Sequence, residues 1–195
     1  YEGKSGIYGL CVPHGFDRLT ERCGGEEQMV ERLVYGFDNE LKDLRNEPGF
    51  LTPFVFTHCD RPELTGRYVG DIRNTCFSLT GGYPDNEDSG AMGSWYVFTS
   101  LGLFPNAGQD FYYLLPPAFP EASLRMENGK AIKIKAEGLS GAARFIESVT
   151  VNGRLLDRAW IRHSEIAEGA EIVFRMTDRE HSWATNGNAM YNGNR

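Results

Sequence analysis

The fold turns on Asp88-Ser89-Gly90-Ala91-Met92-Gly93-Ser94-Trp95-Tyr96-Val97-Phe98-Thr99-Ser100-Leu101-Gly102-Leu103-Phe104-Pro105-Asn106. Met92, Trp95, Tyr96 and Thr99 recur at i, i+3, i+4 and i+7, the spacing of one helical face. Asp88 or Ser89 is expected to cap this helix, and Gly102 and Pro105 to stop it. Upstream the spacing stays helical. Met29, Val30, Leu33, Val34 and Phe37 form one stripe, with Glu26 and Glu27 in the first turn, where carboxylates suit the helix dipole. A second helix is expected near Thr52-Pro53, carrying Phe54, Val55 and Cys59 inward, and a third from about Arg61-Pro62 with Leu64, Tyr68, Val69, Ile72 and Cys76 on one face.

Downstream of about residue 105 the period becomes two. Leu124 and Met126 precede Asn128-Gly129, and Ile132, Ile134 and Ala136 follow. Alternation on both sides of Asn-Gly predicts a type I′ hairpin. Val149 and Val151 lead into a second Asn-Gly at 152–153, and Ile172, Phe174 and Met176 alternate again. Helices first and strands after predict an α+β fold rather than βαβ winding. The expected division is a helical part over 1–108, a β-rich segment over 109–180 and a disordered tail over 181–195.

Composition narrows the function classes. In 195 residues, 41% are hydrophobic and 24% charged, which is ordinary globular usage. Twenty basic residues face twenty-seven acidic ones for a net charge of −7, and there is no basic run. Such a surface is a poor partner for nucleic acid. No apolar stretch approaches the ~20 residues of a membrane helix, so no membrane partner is expected. The chain opens on Tyr1 with no Met and no signal peptide, which fits a mature fragment or an excised domain. Cys11, Cys23, Cys59 and Cys76 match no zinc spacing and read as buried thiols in helices, a pattern leaning to a reducing compartment.

The densest polar cluster is Asp85-Asn86-Glu87-Asp88, directly before the strongest helix. Its plain reading is a solvated turn with an N-cap. Its sharper reading is a fixed carboxylate, held ionised by backbone N–H groups and the helix dipole, which is what a general base for water needs. Arg45-Asn46-Glu47-Pro48-Gly49 reads as a turn, or as oxygen donors for sugar hydroxyls or Ca²⁺. Glu2, beside Gly3, and His14, after Val12-Pro13, are by themselves a surface acid and a polar contact.

Taken in order, these blocks resemble glycoside hydrolase family 92, the calcium-dependent exo-acting α-mannosidases. The string from Gly82 to Phe98, continued by Leu101–Asn106, is similar to that family's signature. Asn46-Glu47-Pro48, Glu2-Gly3 and Val12-Pro13-His14 are similar to further family blocks, and Trp160-Ile161-Arg162-His163 to its C-terminal β segment. The resemblance implies that the helical part belongs to an (α/α)6 barrel completed by a missing N-terminal part of the same enzyme. It implies an inverting mechanism on terminal, α-1,2-linked mannose of a mannose-containing oligosaccharide, with Glu2 as general acid and Asp88 as general base. Asn86, Glu87, Glu47 and His14 would bind substrate, and Asn46 and Glu47 would lie at a Ca²⁺ site. Asn86 stands where the family commonly has Asp, and Gly15 where it usually has Asp. The family is often exported, so the compartment is left open.

Two rival readings follow from the same residues. One is a non-catalytic fragment or degenerate carbohydrate-binding module. The other is a different inverting glycosidase or phosphorylase, which needs a phosphate site, and no basic loop suited to one is visible.

Overall fold

The computed structural model describes residues 5–39, 44–142 and 144–184. The helices are α1 (Ser5–Tyr8), α2 (Phe16–Arg22), α3 (Glu26–Asn39), α4 (Val55–His58), α5 (Pro62–Cys76), α6 (Ala91–Leu101) and α7 (His163–Ile166), with 3-10 turns at Glu47–Gly49 and Thr52–Phe54. The strands are β1 (Leu103–Pro105), β2 (Phe111–Leu114), β3 (Glu121–Arg125), β4 (Ala131–Glu137), β5 (Phe145–Val151), β6 (Arg154–Leu155), β7 (Trp160–Arg162) and β8 (Ala170–Thr177). The fold is α+β, with the helices first and the strands after.

Three layers follow from the two periodicities. In a strand, successive side chains point to opposite faces. The small sheet β1-β2-β7 uses both faces. Phe104, Phe111, Tyr113 and Trp160 pack into the helical core with Phe37, Phe54, Phe56, Tyr68 and Trp95. Their neighbours Leu103, Leu114 and Ile161 pack into a second core under the larger sheet, ordered β3-β4-β8-β5-β6. That small sheet is thus the middle layer, and it joins the helices to the β segment. In the larger sheet β4 runs parallel to β8, and the other pairs are antiparallel. Ile172, Phe174 and Met176 of β8 all face its core, as their alternation requires.

Four local expectations need correction. First, α6 starts at Ala91, not at Ser89. Asp88 (φ 50°), Ser89 (φ 59°) and Gly90 (φ 98°) are all left-handed, and no side chain caps the helix at Gly90. Second, Thr52 is not a cap: it is buried at the head of a 3-10 turn, and the helix after it is one turn long. Third, of the two Asn-Gly turns only Asn152-Gly153 has both residues left-handed (φ 50° and 78°), the type I′ signature. Around Asn128-Gly129 only the glycine is left-handed. Gly129 N–H donates to Met126 O at 3.0 Å and Met126 N–H to Lys130 O at 2.8 Å, a longer loop with a bulge. Fourth, the expected tail starts too early. Trp183 is buried in the second core and Ser182 Oγ donates to Asp60 O at 3.2 Å, so an indole too large to leave in water holds 181–184 down. Residues 185–195 lie outside the described residues.

The cysteines are free, and only Cys59 is buried; Cys11 is exposed. Burial pushes the Cys59 thiol up to about 12, so it packs as a small apolar group.

Gly102 ends α6 at φ 82°, and its backbone turns the chain directly into β1. A Cβ here would lie 2.8 Å from the Leu115 carbonyl oxygen. Gly102→Ala combines left-handed strain with a backbone clash. It is expected to lower unfolding free energy by about 1–3 kcal/mol, measured by urea denaturation of the full-length protein.

Candidate functional site

The loop before α6 sorts its three acids into three roles. Asp85 Oδ1 accepts from its neighbour's Asn86 N–H at 2.8 Å and stabilises the turn. Glu87 Oε1 accepts from Gly93 N–H at 2.7 Å, and so serves the exposed first turn of α6 that Asp88 does not. Gly93 makes room for it: a Cβ there would sit 2.8 Å from that oxygen and 3.2 Å from the Tyr83 hydroxyl. Asp88 is exposed, and its carboxylate takes no hydrogen bond from the described residues. The backbone bonds expected to hold it ionised are made by Glu87 instead. Asn86 is exposed beside it.

Two hydrogen bonds draw distant blocks to this loop. Asn46 caps the 3-10 turn Glu47–Gly49: its Oδ1 accepts from Glu47 N–H at 3.0 Å, and its Nδ2 donates to the Tyr8 hydroxyl at 2.7 Å. The turn carrying Asn46 and Glu47 is therefore fastened to α1, the helix that follows Glu2. Trp95 Nε1 in turn donates to Phe50 O at 3.1 Å, fastening the same turn to α6. Blocks near residues 5, 47 and 90 thus converge. Glu2 itself lies outside the described residues.

As a cation site, Glu47 is an exposed hard donor, while Asn46 Oδ1 is already engaged by backbone. Ca²⁺ takes six to eight oxygens. Among the described residues no group of three or more His, Cys, Asp or Glu stands ready to hold a metal.

His14 is exposed on a loop fixed by a polar chain that the sequence did not reveal. Asn106 is 1% exposed, and its Nδ2 donates to both Pro13 O (3.0 Å) and the Tyr113 hydroxyl (3.1 Å). Burial holds the Tyr113 phenol well above its ordinary value, so its proton stays on. The Tyr113 hydroxyl lies 2.9 Å from His58 Nε2, and His58 Nδ1 lies 2.9 Å from Asp17 Oδ1, so the imidazole bridges the phenol and the carboxylate. Asn106 belonged to a quoted motif; Asp17, His58 and Tyr113 are too far apart in sequence to be paired by reading it.

With this geometry in hand, residues 1–178 match the glycosyl hydrolase family 92 catalytic domain. An uncharacterized secreted glycosidase of Arthroderma benhamiae is 34% identical over 191 residues, covering 95% of this chain and 25% of the relative. The chain therefore spans about a quarter of the length of the curated relative it matches. A family GH92 α-mannosidase from Bacteroides thetaiotaomicron superposes over 95% of this chain and 26% of its own with a TM-score of 0.88 at 23% identity. That enzyme has also been solved in complex with mannoimidazole. A GH92 inverting mannosidase from the same organism superposes over 95% of this chain and 29% of its own with a TM-score of 0.84 at 22% identity. These structural likenesses bear on the fold.

Proposed function

Because the chain belongs to glycosyl hydrolase family 92, we propose that it is the C-terminal part of the catalytic domain of an inverting exo-α-mannosidase, releasing terminal α-1,2-linked mannose from oligosaccharides. The observation that carries this reading is the convergence of three blocks at the loop before α6, with Asp88 alone among its acids both exposed and without a hydrogen bond from the described residues.

In the proposed reaction Glu2 gives its proton to the leaving glycosidic oxygen. Asp88 takes a proton from water as that water attacks the anomeric carbon from the opposite face. The bond from that carbon to the leaving oxygen breaks and the products are β-mannose and the shortened glycan. An inverting pair stands ~6.5–9.5 Å apart to admit the water. Glu87, fixed through one oxygen, keeps the other for a sugar hydroxyl, with Asn86, Glu47 and His14 as further contacts. Ca²⁺ belongs to this proposal for the complete enzyme: Glu47 and Asn46 would supply two oxygens, and the others would come from outside the described residues. When bound, the ion would engage sugar hydroxyls. Spanning a quarter of a relative's length, the stretch by itself is expected to be inactive, its partner being the remainder of the enzyme.

The test is proton NMR of the full-length protein acting on α-1,2-mannobiose. β-Mannose should appear first and mutarotate afterwards, and a calcium chelator should slow release. No release would overturn the mannosidase reading, α-mannose first would overturn inversion, and indifference to chelator would overturn the metal.

A further inference from the structure

A cleft open to solvent separates α5 from the β segment, and three arginines border it: Arg67, Arg73 and Arg144. They come from two separate stretches of the sequence, so no basic run announces them. On α5, Gly66, Gly70, Arg73 and Asn74 stand at i, i+4, i+7 and i+8, one face of the helix, and all four border the cleft. Gly70 leaves it open, since a Cβ at that position would meet nothing within 4 Å.

The cleft gathers three positive charges. Elsewhere Arg61, Arg158 and Arg162 are ion-paired, to Glu63, Glu165 and Asp110, whereas Arg18, Arg125 and Arg175 have no carboxylate partner among the described residues. Among the described residues none of the three cleft arginines has a carboxylate within ion-pair distance. Arg73 is held in place by donating from Nη1 to the Thr99 carbonyl at 2.6 Å. Arg67 and Arg144 are exposed and rest over the rings of Tyr68 and Phe145, each 5.4 Å from the centroid, with no side-chain hydrogen bond among the described residues. One carboxylate, Asp71, also borders the cleft and has a partner of its own. Burial pulls the Arg73 guanidinium below its ordinary value, the mark of a cation kept from water without a counter-charge. A guanidinium is a planar fork of donors matched to phosphate.

We infer that this cleft is a binding site for a phosphate group, held by Arg67, Arg73 and Arg144. The phosphate is either free in solution or carried on a glycan, and the cleft does not depend on the glycosidase reading. Arg73 and Asn74 also border the neighbouring cleft that contains Tyr83, so a glycan-borne phosphate would sit beside the loop that leads to Asp88.

The test is calorimetry on the full-length protein at low ionic strength, with inorganic phosphate, mannose 6-phosphate and mannose as probes. Saturable binding of both phosphates is expected. Arg67→Gln with Arg144→Gln should weaken it by at least about tenfold, the scale of one lost charged hydrogen bond. Neither change touches the Arg73–Thr99 anchor, so the unliganded melting temperature should hold. Gly70→Leu keeps a good helix former and all three charges but fills the cleft, and should weaken binding as much. Mannose 6-phosphate binding tenfold or more tighter than phosphate would assign the glycan-borne group, and equal affinity the free ion. Absence of saturable phosphate binding, or wild-type affinity in either variant, would overturn the site. Activity plays no part in the readout, so a failure here is distinct from a failure of the mannosidase proposal.

Discussion

Asp88→Asn in the full-length protein is expected to cut turnover of an α-mannoside by ~10²–10⁴-fold, the worth of a positioned base, with no loss of melting temperature. The local backbone makes this replacement clean. Asp88 sits at φ 50°, and Asn is among the few residues that adopt that region readily. The side chain takes no hydrogen bond from the described residues, so none is lost. Asp88→Ala would also remove the base, but it would place a less tolerant residue in a left-handed position at about 1–2 kcal/mol. Glu87 provides the contrast. Its oxygen receives the Gly93 N–H, so Glu87→Ala should cost ~0.5–2 kcal/mol of stability, as loss of a cap does, while Glu87→Gln retains an acceptor. If Asp88→Asn kept near-native turnover, the base would have to be sought at Asp85 or Glu87. Glu2→Gln tests the acid in the same assay.

What could be read from the sequence was what short-range periodicity controls. The stripe Met29-Leu33-Phe37 and the alternation Ile172-Phe174-Met176 each report a single face, and each is buried as expected. The order of helices before strands set the α+β class. The candidate site was legible only as motifs, since three blocks up to ninety residues apart needed Tyr8–Asn46 and Phe50–Trp95 to join them. The errors lie where two residues compete for one backbone role. Asp88 and Glu87 both precede α6, and side-chain reach settled it: a glutamate can return to Gly93 across a left-handed turn, whereas Asp88 is turned outward. Asn128-Gly129 and Asn152-Gly153 are the same dipeptide, yet only the second is bounded by directly paired strand residues, Val151 and Arg154, which force a two-residue turn. Groups brought together only in space, such as Arg67 and Arg144 along one cleft or Asp17 with His58, leave no sequence signal at all.

Trp95→Ala is expected to lower the unfolding free energy by about 3–5 kcal/mol, the largest stability effect of any change proposed. Trp95 is 1% exposed and stacks on Phe77 at 5.9 Å between centroids, with Phe104 edge-on at 6.4 Å. Removing the indole leaves a cavity between α6 and β1 that stiff aromatic neighbours cannot close. It also removes the only N–H that side chain has for the Phe50 carbonyl. Trp95→Phe separates the two losses. It refills most of the volume and forfeits the bond, so it should cost about 0.5–1.5 kcal/mol, the net worth of one hydrogen bond. Because the bond joins α6 to the Glu47–Gly49 turn, the same variant should raise KM for an α-mannoside more than it lowers kcat, through loosened sugar contacts at Glu47 with Asp88 left in place. Urea denaturation gives the first quantity and steady-state kinetics the second. A Trp95→Phe enzyme with the full 3–5 kcal/mol deficit would show that packing shape, not the hydrogen bond, holds the two blocks together.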